Sequence, residues 1–384
     1  MKKLYLVGMI LTTIALCGCV EKKYLEKLGL ITAVGYDQHD DEEIKGTIVL
    51  YQFNPDMQDV EKILVSTANT SKGIRMSQNF DTDHQLVSGQ LRIAVYGRDL
   101  AMKGISHLVD TLERDSSIGN MVYLAVADTT AEDILTYQMI EKHSNRGTYL
   151  YNLVKQNVEN ELMIAPTLQE FITDYGSVGK DPILPLLSSS DRTLGIEGFA
   201  IFHKDQFVME IDKRDMFYIR SLIEDYHSAG SLEVKLPMEP FRNHLPEGHG
   251  SSREKTDDEK RLYLVLDSIK SNHEIKASKD DAPKFTIRLD IDARLHEITE
   301  KLKLSDPETL KLVEKETEKY IKKNVMKNIK SLQENVVDPV GFGMEYRTRR
   351  NHESLTQQEW DRLYPDASFD VTVHFNLIRT GVTD

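Results

Sequence analysis

The stretch that most limits what this chain can become runs from Phe285 to Val336. Phe285, Ile287, Leu289, Ile291, Ala293 and Leu295 alternate with Thr286, Arg288, Asp290, Asp292 and Arg294. A period of two with one apolar side predicts a half-buried antiparallel strand. After it, Leu310, Val313, Thr317, Tyr320, Ile321, Val325, Ile329, Leu332 and Val336 recur at three- and four-residue steps. They form one stripe of a helix. Ser305 is its expected cap, with Pro307 and Glu308 in the first turn. At 1.5 Å per residue the helix is roughly 45 Å long. A sheet with one apolar face and a helix with one apolar stripe cover each other, so the helix is expected to lie across the sheet.

The rest of the chain alternates short apolar runs with helical stripes, as a mixed α/β or α+β protein does. Leu28–Tyr36, Ile44–Phe53, Ile63–Ala68, Leu91–Tyr96 and Tyr123–Ala127 read as strands. Thr70–Asn79, Leu100–Leu112, Tyr149–Leu162 and Thr167–Tyr175 read as helices. Ser188-Ser189-Ser190 interrupts this pattern and marks the expected end of an N-terminal α/β domain, residues 19–190. Gly195–Phe202 and Phe207–Ile211 flank a tight connection and read as a hairpin. It opens an expected small middle domain, 191–258, closed by a mobile loop from Leu245 to Lys260 that is rich in Gly, Pro, Ser and charge. Residues 259–384 form the expected C-terminal α/β domain with the long helix. The fold expected is three consecutive α/β domains.

The first residues read differently. Met1-Lys2-Lys3 is a charged start, Leu4–Leu16 is almost wholly apolar, and Cys17-Gly18-Cys19 follows. This pattern is a secretory leader, 1–18, and too short to span a bilayer. A Cys after a small residue at the expected cut resembles a bacterial lipoprotein signal. Cys19 is then the lipidated residue, because Gly18 precedes it, whereas bulky Leu16 precedes Cys17. Two or more acyl chains give stable anchoring. Both cysteines lie in this region, so no disulfide framework is available. With 40% hydrophobic and 29% charged residues the chain is globular, and no later segment is long and apolar enough to cross a membrane. The formal charge of −14 becomes −16 once Lys2 and Lys3 leave with the leader. That argues against nucleic-acid binding and against broad electrostatic attachment to anionic lipid.

The sequence selects no reactive constellation. There is no P-loop, no G-x-S-x-G and no H-E-x-x-H. Gly341-Phe342-Gly343 lacks a third glycine and follows a helix, not a strand. His296-Glu297 reads as a solvated strand end. His244, Glu247 and His249 offer metal-ligand chemistry, but on a loop whose ordering costs chain entropy. Asp37, Asp40, Asp41, Glu42 and Glu43 lack EF-hand spacing and read as a solvated turn. Asn69-Thr70-Ser71 is a sequon without consequence in a bacterial lipoprotein. Thr356 and Glu359 form a capping-box pattern before the lone Trp360, which reads as a core residue at a helix start, with a partner-facing anchor as the alternative. No catalytic residue, metal or cofactor is expected.

Asp338-Pro339-Val340-Gly341-Phe342-Gly343, then Trp360-Asp361, Leu363-Tyr364-Pro365 and Val371–Gly381, resemble the carboxy-terminal signature of the Ger(x)C family of spore germination lipoproteins. Leu25–Leu30 with Gly35-Tyr36-Asp37, Leu91–Gly97 and Gly198–Phe202 look like other segments of that family. Asp338-Pro339 and the glycines read as the stop for the long helix. The resemblance implies a non-enzymatic C subunit of a nutrient germinant receptor in a spore-forming Firmicute. It also implies A-type and B-type integral-membrane partners, and a place on the outer face of the spore inner membrane. The alternative reading is a solute-binding lipoprotein with a preformed polar cleft.

Overall fold

The computed structural model describes residues 25–40, 42–52, 60–137, 145–190, 193–228, 230–245, 261–350 and 355–380. Cys19, the leader and nearly all of the Leu245–Lys260 loop lie outside the described residues.

The first sheet has nine strands: β1 (Leu28–Gln38), β2 (Ile44–Gln52), β3 (Val60–Ala68), β4 (Gln85–Val87), β5 (Ile93–Tyr96), β6 (Tyr123–Ala127), β7 (Ile183–Ser190), β8 (Thr193–His203) and β9 (Gln206–Asp212). Their order is β3-β2-β1-β5-β6-β7-β8-β9, with β4 beside β1. The middle pairs, β1–β5, β5–β6 and β6–β7, are parallel, and both flanks are antiparallel. Parallel strands need both faces covered, and both are. Successive residues of β5 belong to different cores: Ile93 and Val95 to one, Ala94 and Tyr96 to the other.

One face carries α1 (Ser71–Phe80), α2 (Arg98–Lys103), α3 (Ser106–Glu113) and α6 (Leu168–Gly176); the opposite face carries α4 (Ala131–Thr136), α5 (Arg146–Glu159) and α7 (Met216–Ile223). The single helix expected over Leu100–Leu112 is two, because Gly104 adopts φ +119 at the end of α2. The Asp205 carboxylate then accepts the Ser106 amide at 3.1 Å and restarts the helix.

The hairpin expected to open a separate middle domain belongs to this sheet. β8 pairs with β7 from Ile183↔Ile201 to Ser190↔Thr193. The serines read as a boundary are strand residues in that ladder.

The second sheet contains β10 (Tyr226–Ser228), β11 (Leu232–Pro237), β12 (Arg261–Ala277), β13 (Lys284–Ile298) and β14 (Ser368–Thr380). β13 is the alternating strand of the sequence: Phe285, Ile287, Leu289, Ile291, Ala293 and Leu295 are all buried. Arg294 on its other side reaches Asp267 of β12 at 2.6 Å. The long helix, α8 (Pro307–Glu334), is 28 residues, about 42 Å. Its cap is Asp306, not Ser305: the Asp306 carboxylate accepts the Glu308 and Thr309 amides at 3.3 and 3.1 Å. Glu318 and Glu314, one turn apart on α8, accept the Phe375 and Leu377 amides at 3.2 and 3.0 Å. These bonds occupy the open edge of β14, where a partner strand would otherwise pair.

Two short helices, α9 (Phe342–Arg350) and α10 (Gln357–Leu363), fill the crossover between α8 and β14. One hydrophobic core runs from Ala33, Val95 and Leu150 of the first sheet and its helices to Val234, Phe285, Val325 and Trp360 of the second. The two sheets are thus welded by shared apolar burial.

Candidate functional site

The residues with the strongest sequence signature meet at the seam between the two sheets. α8 ends in a left-handed turn: the Val337 amide donates to Leu332 O and the Val336 amide to Gln333 O, each at 3.1 Å. This is the Schellman pattern, with Val336 itself at φ +54. The helix therefore stops before Asp338-Pro339, which has a different task.

The Asp338 carboxylate accepts the amides of Gly341, Phe342 and Gly343 at 2.8, 3.0 and 2.8 Å. These are donors at the start of α9 that have no partner within the helix. Asp338 also crosses to the first sheet. Its amide donates to an Asp181 carboxylate oxygen at 2.8 Å, and its carbonyl accepts the Asp181 amide at 2.9 Å. The other Asp181 oxygen accepts the Lys204 amide at 3.0 Å, in the β8–β9 turn. Asp181-Pro182 and Asp338-Pro339 thus bind each other reciprocally across the seam.

Beside them the backbones touch. Gly179 at φ +76 and Gly343 lie so close that a Cβ on Gly343 would sit 2.5 Å from Gly179 Cα and 2.7 Å from the Trp360 ring. Trp360 is buried, at 5.2 Å from Tyr364 and edge-on to Phe285 at 6.3 Å. It is the core residue the capping box predicted: Thr356 and Glu359 make that box. Gln357 of α10 accepts the Gly179 amide at 3.0 Å and donates to Asp361 at 2.8 Å.

His203 closes the seam. Its Nδ1 lies 3.6 Å from Asp181 and its Nε2 3.5 Å from Asp361. The facing Asp181 carboxylate, and then Asp361, push the imidazole above its ordinary value, against partial burial and the Lys204 charge. Burial pushes Asp338 up to about 7, with the Asp181 charge adding to it and the three amides opposing. Both shifts have the same sign for stability. The folded state keeps a proton on Asp338 between about pH 4 and about pH 7 that the unfolded chain gives up, so that contribution falls as pH rises through this window. The His203 contribution is complete below its unfolded value near pH 6.5 and is lost as pH rises through the folded value. The seam is expected to be tightest in mild acid. Thermal unfolding followed by Trp360 emission checks this: His203→Gln should flatten the decline above about pH 6.5 and leave the Asp338 part below it.

A second node joins two other signature segments. Gly35 pairs with Val95 and Tyr36 with Tyr96, and the Gly97 amide donates to Tyr36 O at 2.8 Å. Asp37 is a buried residue of β1, not part of a solvated turn. Its carboxylate accepts the Ala131 and Glu132 amides at 2.6 and 2.9 Å, at the start of α4. Burial raises its carboxyl despite these bonds.

His244 Nδ1 lies 2.7 Å from Thr309 Oγ1 on the first turn of α8; Glu247 and His249 are outside the described residues. His39, Asp40 and Glu43 bring ligand atoms within 4.8 Å of one another, on an exposed turn that Asp40 closes through the Glu42 and Glu43 amides. His296 is exposed beside Asp267 at 3.3 Å.

A cleft of about 600 Å³ lies between the sheets, lined by Tyr218, Arg220, Tyr226, Tyr263 and Tyr320 among others. Its buried cation is spent internally: Arg220 donates to Glu224 at 2.5 Å and to the Glu161 carbonyl, with Tyr226 at 4.4 Å beneath its guanidinium.

Sequence reasoning missed Gly179, Asp181 and His203. A second Asp-Pro, flanked by a glycine as the first is, was the available signal.

Residues 21–189 match the family described as the spore germination protein N-terminal domain, and residues 197–381 the Spore germination B3/GerAC-like C-terminal domain. The chain belongs to the Ger(x)C family of spore germination proteins. It is 25% identical to the spore germination protein GerQC of Bacillus cereus, over 98% of each chain. It is 23% identical to the spore germination protein KC of Bacillus subtilis, over 99% of this chain and 96% of that one. The crystal structure of the GerBC protein superposes with a TM-score of 0.51 at 16% identity, covering 90% of this chain and 96% of that one, so the fold is shared. The family is that of germinant-receptor C subunits, which act within receptor complexes. In this chain the family's signature residues build the two nodes above. Among the described residues no helix is long and apolar enough to cross a membrane.

Proposed function

We propose that this chain is a lipid-anchored, non-catalytic C subunit of a nutrient germinant receptor. Cys19 carries the lipid, on the outer face of the spore inner membrane. The chain assembles there with an A-type and a B-type integral-membrane subunit and serves assembly or signalling. One observation carries the reading: the carboxylates of the signature are consumed by backbone amides. Asp338 accepts three and Asp37 two. A group saturated in this way holds structure and is poorly placed to bind or attack a ligand. The joined sheets then act as one rigid body that a receptor can use as a scaffold.

Two measurements test it. Cys19→Ala is expected to move the protein from the membrane fraction to the soluble fraction and to impair nutrient germination, because no acyl chain then offsets the loss of translational freedom. Full membrane retention of that variant would remove the anchor from the proposal. A tagged chain purified from spore membranes is expected to bring both integral-membrane subunits with it. Recovery without either one would end the receptor reading for this protein.

A further inference from the structure

One end of the first sheet carries an exposed apolar pair. On α1, Ile74 and Gln78 are buried, while Met76 and Phe80, four residues apart, are 66% and 87% exposed. Phe80 has the largest exposure among the exposed large hydrophobic residues described. Residues at that spacing stand on one side of a helix.

The position of this pair follows from the strand register. α1 ends at Phe80, and the Asp81 carbonyl accepts Lys62 Nζ at 3.4 Å, near the start of β3. β3 begins opposite Gln52, the end of β2, and Gln52 pairs with Gly29, at the start of β1. Gln52 Nε2 is 3.2 Å from His84 Nδ1, and Gln85 pairs with Leu28. The end of α1 therefore lies at the same end of the sheet as the beginning of β1. Cys19 is six residues before Leu25, the first residue described. Six residues span at most about 22 Å when fully extended. A lipid on Cys19 holds this end of the fold within that distance of the bilayer.

We propose that Met76 and Phe80 seat in the bilayer interface beside the Cys19 anchor and fix the orientation of the ectodomain on the membrane. This rests on the reading of Cys19 as the lipidated residue. The partner is a lipid surface because the tether delivers the pair to one. Aromatic and Met side chains suit the headgroup–acyl boundary. The chain is strongly acidic, so attachment through broad charge is unfavourable. A short-range apolar contact is the kind of contact left.

The test uses the full lipidated chain in vesicles of phosphatidylglycerol and phosphatidylethanolamine. With Cys19 lipidated the mature chain has no free thiol, so Met76→Cys, Phe80→Cys and Ile378→Cys each accept one environment-sensitive fluorophore. Ile378, 58% exposed on β14, is the control. Unchanged Trp360 emission certifies the fold of each variant. The expected result is blue-shifted emission at 76 and 80, with loss of intensity when the acyl chains carry a quencher, and neither effect at 378. Labels at 76 and 80 that stay as solvated as the one at 378, on chains that remain vesicle-bound, overturn the docking and leave the anchor standing. Mass spectrometry showing Cys19 unmodified removes the anchor by itself. In that case the label at 80 in a Cys19→Ser chain, mixed with the same vesicles, decides the docking: quenching supports it and its absence overturns it.

Discussion

Gly343→Ala should destabilise the chain by about 3 kcal/mol, the upper part of what overpacking a filled interior costs. The added Cβ meets Gly179 Cα at 2.5 Å and Trp360 at 2.7 Å. Neither neighbour has a free direction of retreat. Gly179 is held by the hydrogen bond that its N–H donates to the Gln357 side-chain oxygen, and Trp360 is packed between Tyr346, Tyr364 and Phe285. The methyl therefore separates the two sheets at their seam and pulls the Gly343 amide from Asp338. Urea unfolding followed by Trp360 emission gives the measurement, since this lone tryptophan sits in the seam. Gly176→Ala is the control. Nothing lies within 4 Å of its Cβ position and it ends α6, so it should be neutral or slightly stabilising. A Gly343→Ala midpoint equal to that of the control would mean that the seam is not close-packed.

Gly97→Ala should cost a similar amount for a different reason. Its Cβ would occupy the space of the Asp37 carboxylate. Asp37 must then swing away from the Ala131 and Glu132 amides, leaving buried donors at the start of α4. An unmade hydrogen bond at a buried group costs about 1–3 kcal/mol. The mechanism predicts non-additivity. In an Asp37→Ala background the amides are already orphaned and the space is already empty, so Gly97→Ala should add little. A double-mutant cycle with a coupling energy close to the whole cost of Gly97→Ala, about 3 kcal/mol, is expected. Additive costs would place the strain elsewhere.

Much of this architecture was legible locally. The alternation in β13 and the stripe of α8 report which side of each element is buried, and burial acts residue by residue. Trp360 behind its capping box was legible for the same reason. Other features were not. Asp37 reads as part of an acidic turn because five acidic residues lie within seven positions; its task is set by α4, reached 94 residues later. Ser188–Ser190 reads as a domain end because composition carries no information about a ladder that Thr193–Gly195 will complete. Gly104 divides a continuous apolar stripe because the Asp205 carboxylate approaches from another hairpin. In each case a distant partner overrides the local preference.

From the sequence alone came the family, the mixed α/β character and the amphipathic helix over its half-buried strand. These rest on short-range periodicity and on residue identity. Only the tertiary structure decided that the hairpin belongs to the first sheet and that the terminal signature is a clasp rather than a helix stop. The Asp338 amide and the Asp181 carboxylate are 157 residues apart in sequence. They meet because two sheets bury one common core, and no local pattern encodes which carboxylate a chain so folded will bring to which amide.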